Sequence, residues 1–145
     1  MDRPETPEAR ALGLDYGQAR IGVAVSDELG WFAHPRDFIA AKPPQRALRL
    51  IQGLVRAEGI GHVLVGLPRN LDGTEGLSAR RARQFADELS ALLRMEVELV
   101  DERLSTVQAH ARLRESGRDA RSSRERVDSA SAAILLQAWL DGRRR

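Results

Sequence analysis

Four acidic residues in this chain lie where carboxylates do chemistry rather than confer solubility. Asp15 comes at the end of an apolar run, Leu12-Gly13-Leu14-Asp15-Tyr16. Asp101 and Glu102 close a second run, and Asp128 opens a third segment, Val127-Asp128-Ser129-Ala130-Ser131-Ala132-Ala133. Hard divalent cations such as Mg²⁺ bind a few carboxylate oxygens and leave their other positions to water and substrate phosphate. Two such ions can activate a water and stabilise the leaving oxygen in phosphodiester hydrolysis. The candidate chemistry is therefore metal-assisted hydrolysis. Each acid also has an ordinary use. Asp15 suits a turn in which it bonds its own backbone. Glu102 suits an ion pair with Arg103. Asp128 suits the positive end of a helix dipole, worth about 0.3–1 kcal/mol. The choice depends on whether the fold brings the acids together.

The opening stretch predicts two strands joined by a tight turn. Leu12, Leu14 and Tyr16 alternate on one face of the first strand, and Ile21, Val23 and Val25 on the same face of the second. The other face carries Gly13, Asp15, Gly22, Ala24 and Ser26, small everywhere except at one carboxylate. Gly17 and Gly22 admit the close approach of a backbone or a phosphate. A third strand is predicted over Trp31–Ala41, containing Phe32, Phe38 and Ile39, with Pro35 marking it as irregular or an edge. Pro43-Pro44 starts a helix with Ala47, Leu48, Ile51, Leu54 and Val55 on one face, ended by Gly59. His62–Gly66 is a short continuous apolar run typical of a buried parallel strand. The loop Leu67–Gly76 is rich in turn residues. The next helix gathers Ala82, Phe85, Ala86, Leu89, Leu92 and Leu93, and Glu96–Val100 forms the fifth strand. Ser105 and Gln108 have capping-box spacing, so a helix is predicted from there to Gly117. A basic loop, 118–126, precedes a last helix from Val127 to about Leu140, with Val127, Ala130, Ile134 and Ala138 on one face.

The resulting order is βββαβαβα plus a C-terminal helix. This is an α/β fold with a five-stranded mixed sheet and helices on both faces. Sites in such sheets collect beyond the carboxyl ends of the central strands. That edge would receive Asp15, Asp128 and one of the Asp101–Glu102 pair. Strand parity sends those two neighbours to opposite faces and leaves open which one reaches the site.

Composition narrows the class. The 145 residues suit one domain, read as 11–141, with a loose tail at 1–10 and a basic tail at 142–145. Formal charge is only +2 although 30% of residues are charged, and Lys42 is the sole lysine. Arginine makes planar bidentate contacts with phosphate, so this bias suits nucleic acid; a GC-rich genome produces the same bias. The absence of cysteine excludes disulfides, thiolate zinc sites and cysteine nucleophiles. No apolar run approaches a membrane span and no signal peptide opens the chain, so a soluble cytoplasmic protein is expected. Aromatics are only 4%, which argues against sequence reading by stacked bases; Tyr16 and Trp31 are the aromatics proposed for a single-stranded substrate.

Taken together, four segments resemble the YqgF (RuvX) family in type and order. They are Leu12–Gly17 with Arg20-Ile21-Gly22-Val23-Ala24; Val65-Gly66-Leu67-Pro68 with Asp72-Gly73-Thr74; Asp101-Glu102-Arg103-Leu104-Ser105-Thr106; and Val127-Asp128 with Ala132-Ala133 and Leu136-Gln137. The resemblance spans nearly the whole chain. It implies an RNase H-like fold similar to Holliday junction resolvases. It also implies a metal-dependent nuclease, using Mg²⁺ or Mn²⁺, that trims the 5′ end of pre-16S rRNA within the assembling small subunit. By the same resemblance the family's acids fall on Asp15, Glu102 and Asp128, as catalytic residues and metal ligands. The resolvases have an acid at the end of the fourth strand, where this chain has Gly66; Glu102 would then have to compensate from the fifth.

Arg20 and Arg103 neighbour the acids in sequence, and Arg69 and Asn70 follow the fourth strand; all four are candidates to grip substrate phosphate. Ser105 and Thr106 stand at a predicted helix start, where hydroxyls can bond phosphate. Branched DNA is the alternative substrate, and junction resolution would require a homodimer with two symmetric sites. A non-catalytic RNA-binding ribosome-assembly factor is the non-enzymatic reading. Asp15-x-Gly17 also resembles the phosphate loop of sugar kinases, but one domain of this length is too short for that two-domain architecture.

Overall fold

The computed structural model of the chain describes residues 9–104, 111 and 127–143, with Leu104, Val127 and Asp128 described by their backbone only. Strands β1 (Arg10–Tyr16), β2 (Arg20–Ser26) and β3 (Ala33–Ala40) are followed by α1 (Pro44–Ala57), β4 (Ile60–Leu67), α2 (Leu77–Leu93) and β5 (Val97–Asp101). A single 3-10 turn, Glu102–Leu104, ends β5, and α3 covers Val127–Arg143. Of the helix predicted from Ser105 to Gly117 only Ala111 is described, and the basic loop 118–126 lies outside the described residues. β1 and α3 run slightly past the domain bounds read from the sequence.

The sheet order is β3-β2-β1-β4-β5. β1, β2 and β3 pair antiparallel, whereas β4 runs parallel to β1 and β5 parallel to β4. The hairpin turn places the Gly17 N–H on the Arg20 carbonyl at 3.0 Å. A Cβ on Gly17 would lie 2.7 Å from that same oxygen, so the close backbone approach expected at this glycine is made by the turn itself. Pro35 sits in β3, which is an edge strand as its sequence predicts, and the β2–β3 register shifts between Ile21 and Val23.

The two faces of the sheet are packed by different kinds of residue. One face buries Leu12, Leu14, Ile21, Val23, Val25, Val63 and Val65 against Ile51 of α1 and Phe85 and Leu89 of α2. Its helices follow the predicted periodicity, with Ala47, Ile51 and Val55 innermost on α1. The other face is built of Ala11, Ala24, Ala33, Leu64 and Val100 under α3. Gly13 belongs here: a Cβ at this position would lie 3.0 Å from the Leu136 Cβ and 3.3 Å from the Ala132 carbonyl, so its absence lets α3 lie flat on β1.

The face of α3 differs from the one read in the sequence. Ser129, Ala132, Ala133, Leu136, Gln137 and Leu140 are buried, whereas Ala130, Ile134 and Ala138 are only partly covered. The helix is small or apolar on nearly every side, so hydrophobic periodicity has no phase to report. Polar groups fix the docking instead. Ser129 Oγ accepts the Val23 N–H at 3.1 Å. Gln137 Oε1 accepts the Ala33 N–H at 2.9 Å, and its Nε2 donates to the Trp31 carbonyl at 3.0 Å. On the same face Ser26 Oγ accepts the Ala11 N–H at 2.8 Å.

Candidate active site

Asp15 lies inside the β1–β2 ladder opposite Gly22, not in the turn that follows. Its alternation with Gly13 puts its side chain on the α3 face of the sheet. The register of β5 settles what parity left open. Val100 pairs with Gly66 and packs under α3, so Glu102, two residues on, continues on that face, and Asp101 is turned to the other. The Glu102 carboxylate then fills the space above β4. A Cβ on Gly66 would lie 2.7 Å from Glu102 Oε2 and 2.9 Å from its Cγ. Gly66 thus leaves room for an acid delivered from β5.

Glu102 and Asp15 are hydrogen-bonded side chain to side chain. Burial, then the charge of Asp15, pushes the Glu102 carboxyl up to about 7. Burial also raises Asp15, and the hydrogen bond from Glu102 draws it part of the way back. Each of the two thus opposes the ionisation of the other, as closely placed carboxyls do. Asp101 has the opposite fate. Arg103 surrounds it, with its N–H at 2.9 Å and Nη2 at 2.7 Å, and holds the Asp101 carboxyl down at about 2. The ion pair imagined for Glu102 and Arg103 is made by Asp101.

Asp128 occupies the first turn of α3. Its neighbour Ser129 is tied to Val23, next to the Gly22 that faces Asp15, so the start of this helix adjoins the Asp15 end of the sheet. Among the described residues no three acidic or histidine side chains converge as a metal cluster; the described site is the Asp15–Glu102 pair. That pair fits a hard divalent ion in its chemistry: two carboxylates, kept close, whose mutual repulsion a cation would relieve.

The candidate phosphate-binding residues flank the pair on two sides. Arg103, besides Asp101, reaches the Leu71 carbonyl at 3.5 Å. Arg69 makes longer ion pairs, 3.5 Å to Glu75 and 3.6 Å to Asp101, and its buried Nε has no hydrogen-bond partner among the described residues. Asn70 is spent on its own loop: its Nδ2 donates to Thr74 Oγ1 at 2.9 Å and its N–H to the Thr74 carbonyl at 2.9 Å. Asp72 completes that loop by accepting from the Thr74 hydroxyl at 2.7 Å. Arg20 lies on the opposite flank, at the start of β2, with its guanidinium 5.2 Å from the centre of the Phe38 ring. Ser105 and Thr106 lie outside the described residues. Sequence reasoning missed the organising parts of Asp101 and Glu75, the latter bound by Arg83 at 2.7 Å through both oxygens. The Asp-x-Arg spacing of Asp101 and Arg103 was the available signal. Tyr16 is not free to meet a substrate base: it stacks on Phe85, ring centres 4.6 Å apart, on the far face.

A mixed sheet of this order, with carboxylates at the carboxyl edge of its first strand, defines the RNase H-like class. A Thermus thermophilus RuvC structure, solved with a Holliday junction substrate, overlays with a TM-score of 0.57 across 94% of this chain and 96% of that one, at 13% identity. This likeness fixes the fold. The chain belongs to the RuvX family, described as Holliday junction resolvase, which it matches over residues 9–142. A relative from Anaeromyxobacter sp. (strain Fw109-5), named "Putative pre-16S rRNA nuclease", is 49% identical over 92% of this chain and 98% of its own length. Another of that name, from Pelotomaculum thermopropionicum, is 44% identical over 94% of this chain and 89% of its own. Among the described residues no helix is long and apolar enough to cross a membrane.

Proposed function

We propose that this protein is a metal-dependent nuclease that hydrolyses an RNA phosphodiester bond in 5′-end maturation of pre-16S rRNA within the assembling small subunit, in the cytoplasm. The observation that carries the chemistry is the half-buried Asp15–Glu102 pair, with Glu102 seated over Gly66. The printed names of the relatives support the substrate. Asp15, Glu102 and Asp128 would hold Mg²⁺ or Mn²⁺, which when bound supplies Lewis-acid stabilisation and an activated water. Asp15 and Glu102 set the negative field that would recruit a cation. Arg69 and Arg103 on one side and Arg20 on the other would hold the nucleic-acid backbone across the sheet edge. Asn70 acts through the loop that carries Arg69. Ser105 and Thr106, which follow Arg103 and Leu104 in sequence, are further candidates for substrate phosphate.

The family description favours one other substrate, a four-way DNA junction, which would require a homodimer with two sites on symmetric strands. One experiment separates the readings: cleavage of labelled single-stranded RNA, single-stranded DNA and a four-way junction, with Mg²⁺, Mn²⁺ or chelator, by the wild-type protein and Asp15→Asn. Metal-dependent RNA cleavage lost in the variant is the expected result. Symmetric cutting of the junction in preference to RNA would replace it with the resolvase. RNA binding and full function retained by Asp15→Asn would leave a non-catalytic assembly factor.

A further inference from the structure

Phe38 is a large aromatic that the fold leaves 48% exposed. Its placement relative to the acids follows from the register. Asp15 pairs with Gly22; Arg20 lies on the same face as Gly22, two residues away, and pairs with Ala40. Phe38, two residues from Ala40, is on that face again, and the Arg20 guanidinium over its ring shows it. Asp15, Gly22, Arg20 and Phe38 therefore share one face at one end of the sheet. The gap between the first and third of these strands is about 10 Å, within reach of the nucleotide next to the one being cut. α3 does not cover this corner from its middle: its first turn is tied at Val23, and its far end is tied to Ala33 and Trp31 at the opposite end of β3.

We infer that Phe38, with Arg20 above it, is a stacking platform for an unpaired base of the nucleic-acid strand, beside the reacting phosphate. The inference rests on the nucleic-acid reading above and adds a contact to it. An aromatic ring under a planar guanidinium offers a flat cationic surface, which suits a base attached to a phosphate and suits an apolar protein partner poorly. Stacking is tolerant of base identity, so the platform would fix the position of the strand and not its sequence. Trp31, the exposed aromatic singled out from the sequence, precedes β3 at the other end and takes no part.

The test measures single-stranded RNA binding by anisotropy in an Asp15→Asn background, which keeps the RNA intact, for Phe38, Phe38→Ala and Phe38→Trp. Phe38→Ala should weaken binding about 5- to 150-fold, the ratio equivalent to about 1–3 kcal/mol per stacked base. The slope of affinity against salt should stay unchanged, because no phosphate contact is lost. Phe38→Trp should bind like the parent, and its added tryptophan emission should change on saturation with RNA; a merely structural ring would give no such change. Parental affinity in Phe38→Ala, or unmoved emission in Phe38→Trp at saturation, would overturn the platform. So would a Phe38→Ala protein whose only change is a shift between monomer and dimer in sedimentation. Failure of the platform leaves the nuclease standing if wild-type protein still binds and cuts RNA. Tight, Phe38-dependent binding without cleavage in the wild type would uphold the platform and overturn the nuclease; no binding to any single strand overturns both.

Discussion

The two faces of the sheet divide the work. The face under α1 and α2 is filled with leucine, isoleucine, valine and phenylalanine, and Asp101 at its edge is neutralised by Arg103. The face under α3 is mostly alanine and glycine, with Leu64 and Val100, and is held by side-chain hydrogen bonds, and Glu102 at its edge confronts another acid. Bulky apolar packing stabilises by the area it removes from water. Small residues bury less, but they let a helix and two carboxylates come close to the backbone. The chain thus concentrates bulky packing on one side and the candidate site on the other, and adjacent residues, Asp101 and Glu102, fall on either side of that line.

Asp15→Asn should do the most to break the comparison. The amide keeps the shape and removes the charge, so cleavage should fall by roughly 10³-fold or more, beyond the 10–100-fold typical of residues that only support metal ligands. The melting temperature in chelator should not fall, because a like-charge contact has been relieved; a collapse of the fold would show that Asp15 is structural. Gly66→Ala comes next. Its methyl group must displace the Glu102 carboxylate, and a loss of about 10- to 100-fold in rate is expected with secondary structure intact by circular dichroism. Full activity in Gly66→Ala would remove Glu102 from the site. Leu89→Ala tests the other face. Leu89 is fully buried, and the variant should lose about 2–5 kcal/mol in denaturant unfolding while keeping its cleavage rate at temperatures where it stays folded. A matching loss of rate would mean that the faces are not separable.

The smallest effect is the sharpest comparison. Metal-free Glu102 is raised from 4.5 to about 7, so the folded state holds the proton more tightly. The stability this confers is complete below about pH 4.5 and is lost as pH rises through 7. Asp101 is lowered from 3.8 to about 2, so its contribution is present above 3.8 and is lost as pH falls through 2. In chelator, Glu102→Gln should therefore melt close to wild type at pH 5 and above it at pH 8. Equal melting temperatures at both values would mean that Glu102 is charged and solvated throughout.

The large-residue face was legible in the sequence because burial on one side of a strand or helix writes a period of two or of 3.6. Leu12, Leu14, Val23, Ile51, Phe85 and Leu89 all lie where their spacing puts them. The α3 face was not, because a helix of alanine, serine and leucine carries little contrast; its orientation is set by Ser129 and Gln137, polar residues whose partners are remote in the chain. The same limit applied at the site. Periodicity brought Asp15 and the end of β5 to one edge but did not choose between Asp101 and Glu102; the family resemblance pointed to Glu102, and its physical reason is the pairing of Val100 with Gly66, a register that no local pattern records. Phe38 was read as an ordinary strand residue because its exposure depends on β3 being an edge and on where α3 stops.

The tethers of α3 also bear on the order in which the molecule is made. Val23 and Ser129 are 106 residues apart, and Ala33 and Gln137 are 104 apart. A chain that grows from its N-terminus completes the sheet and the bulky face well before α3 is available, and contacts of such separation form late. Until then the small face, with Asp15 at its rim, lacks the α3 cover it has in the finished fold. An unfinished copy would carry Asp15 and Glu102 but neither α3 nor the Asp128 in its first turn, so the candidate site is complete only when this last helix is in place.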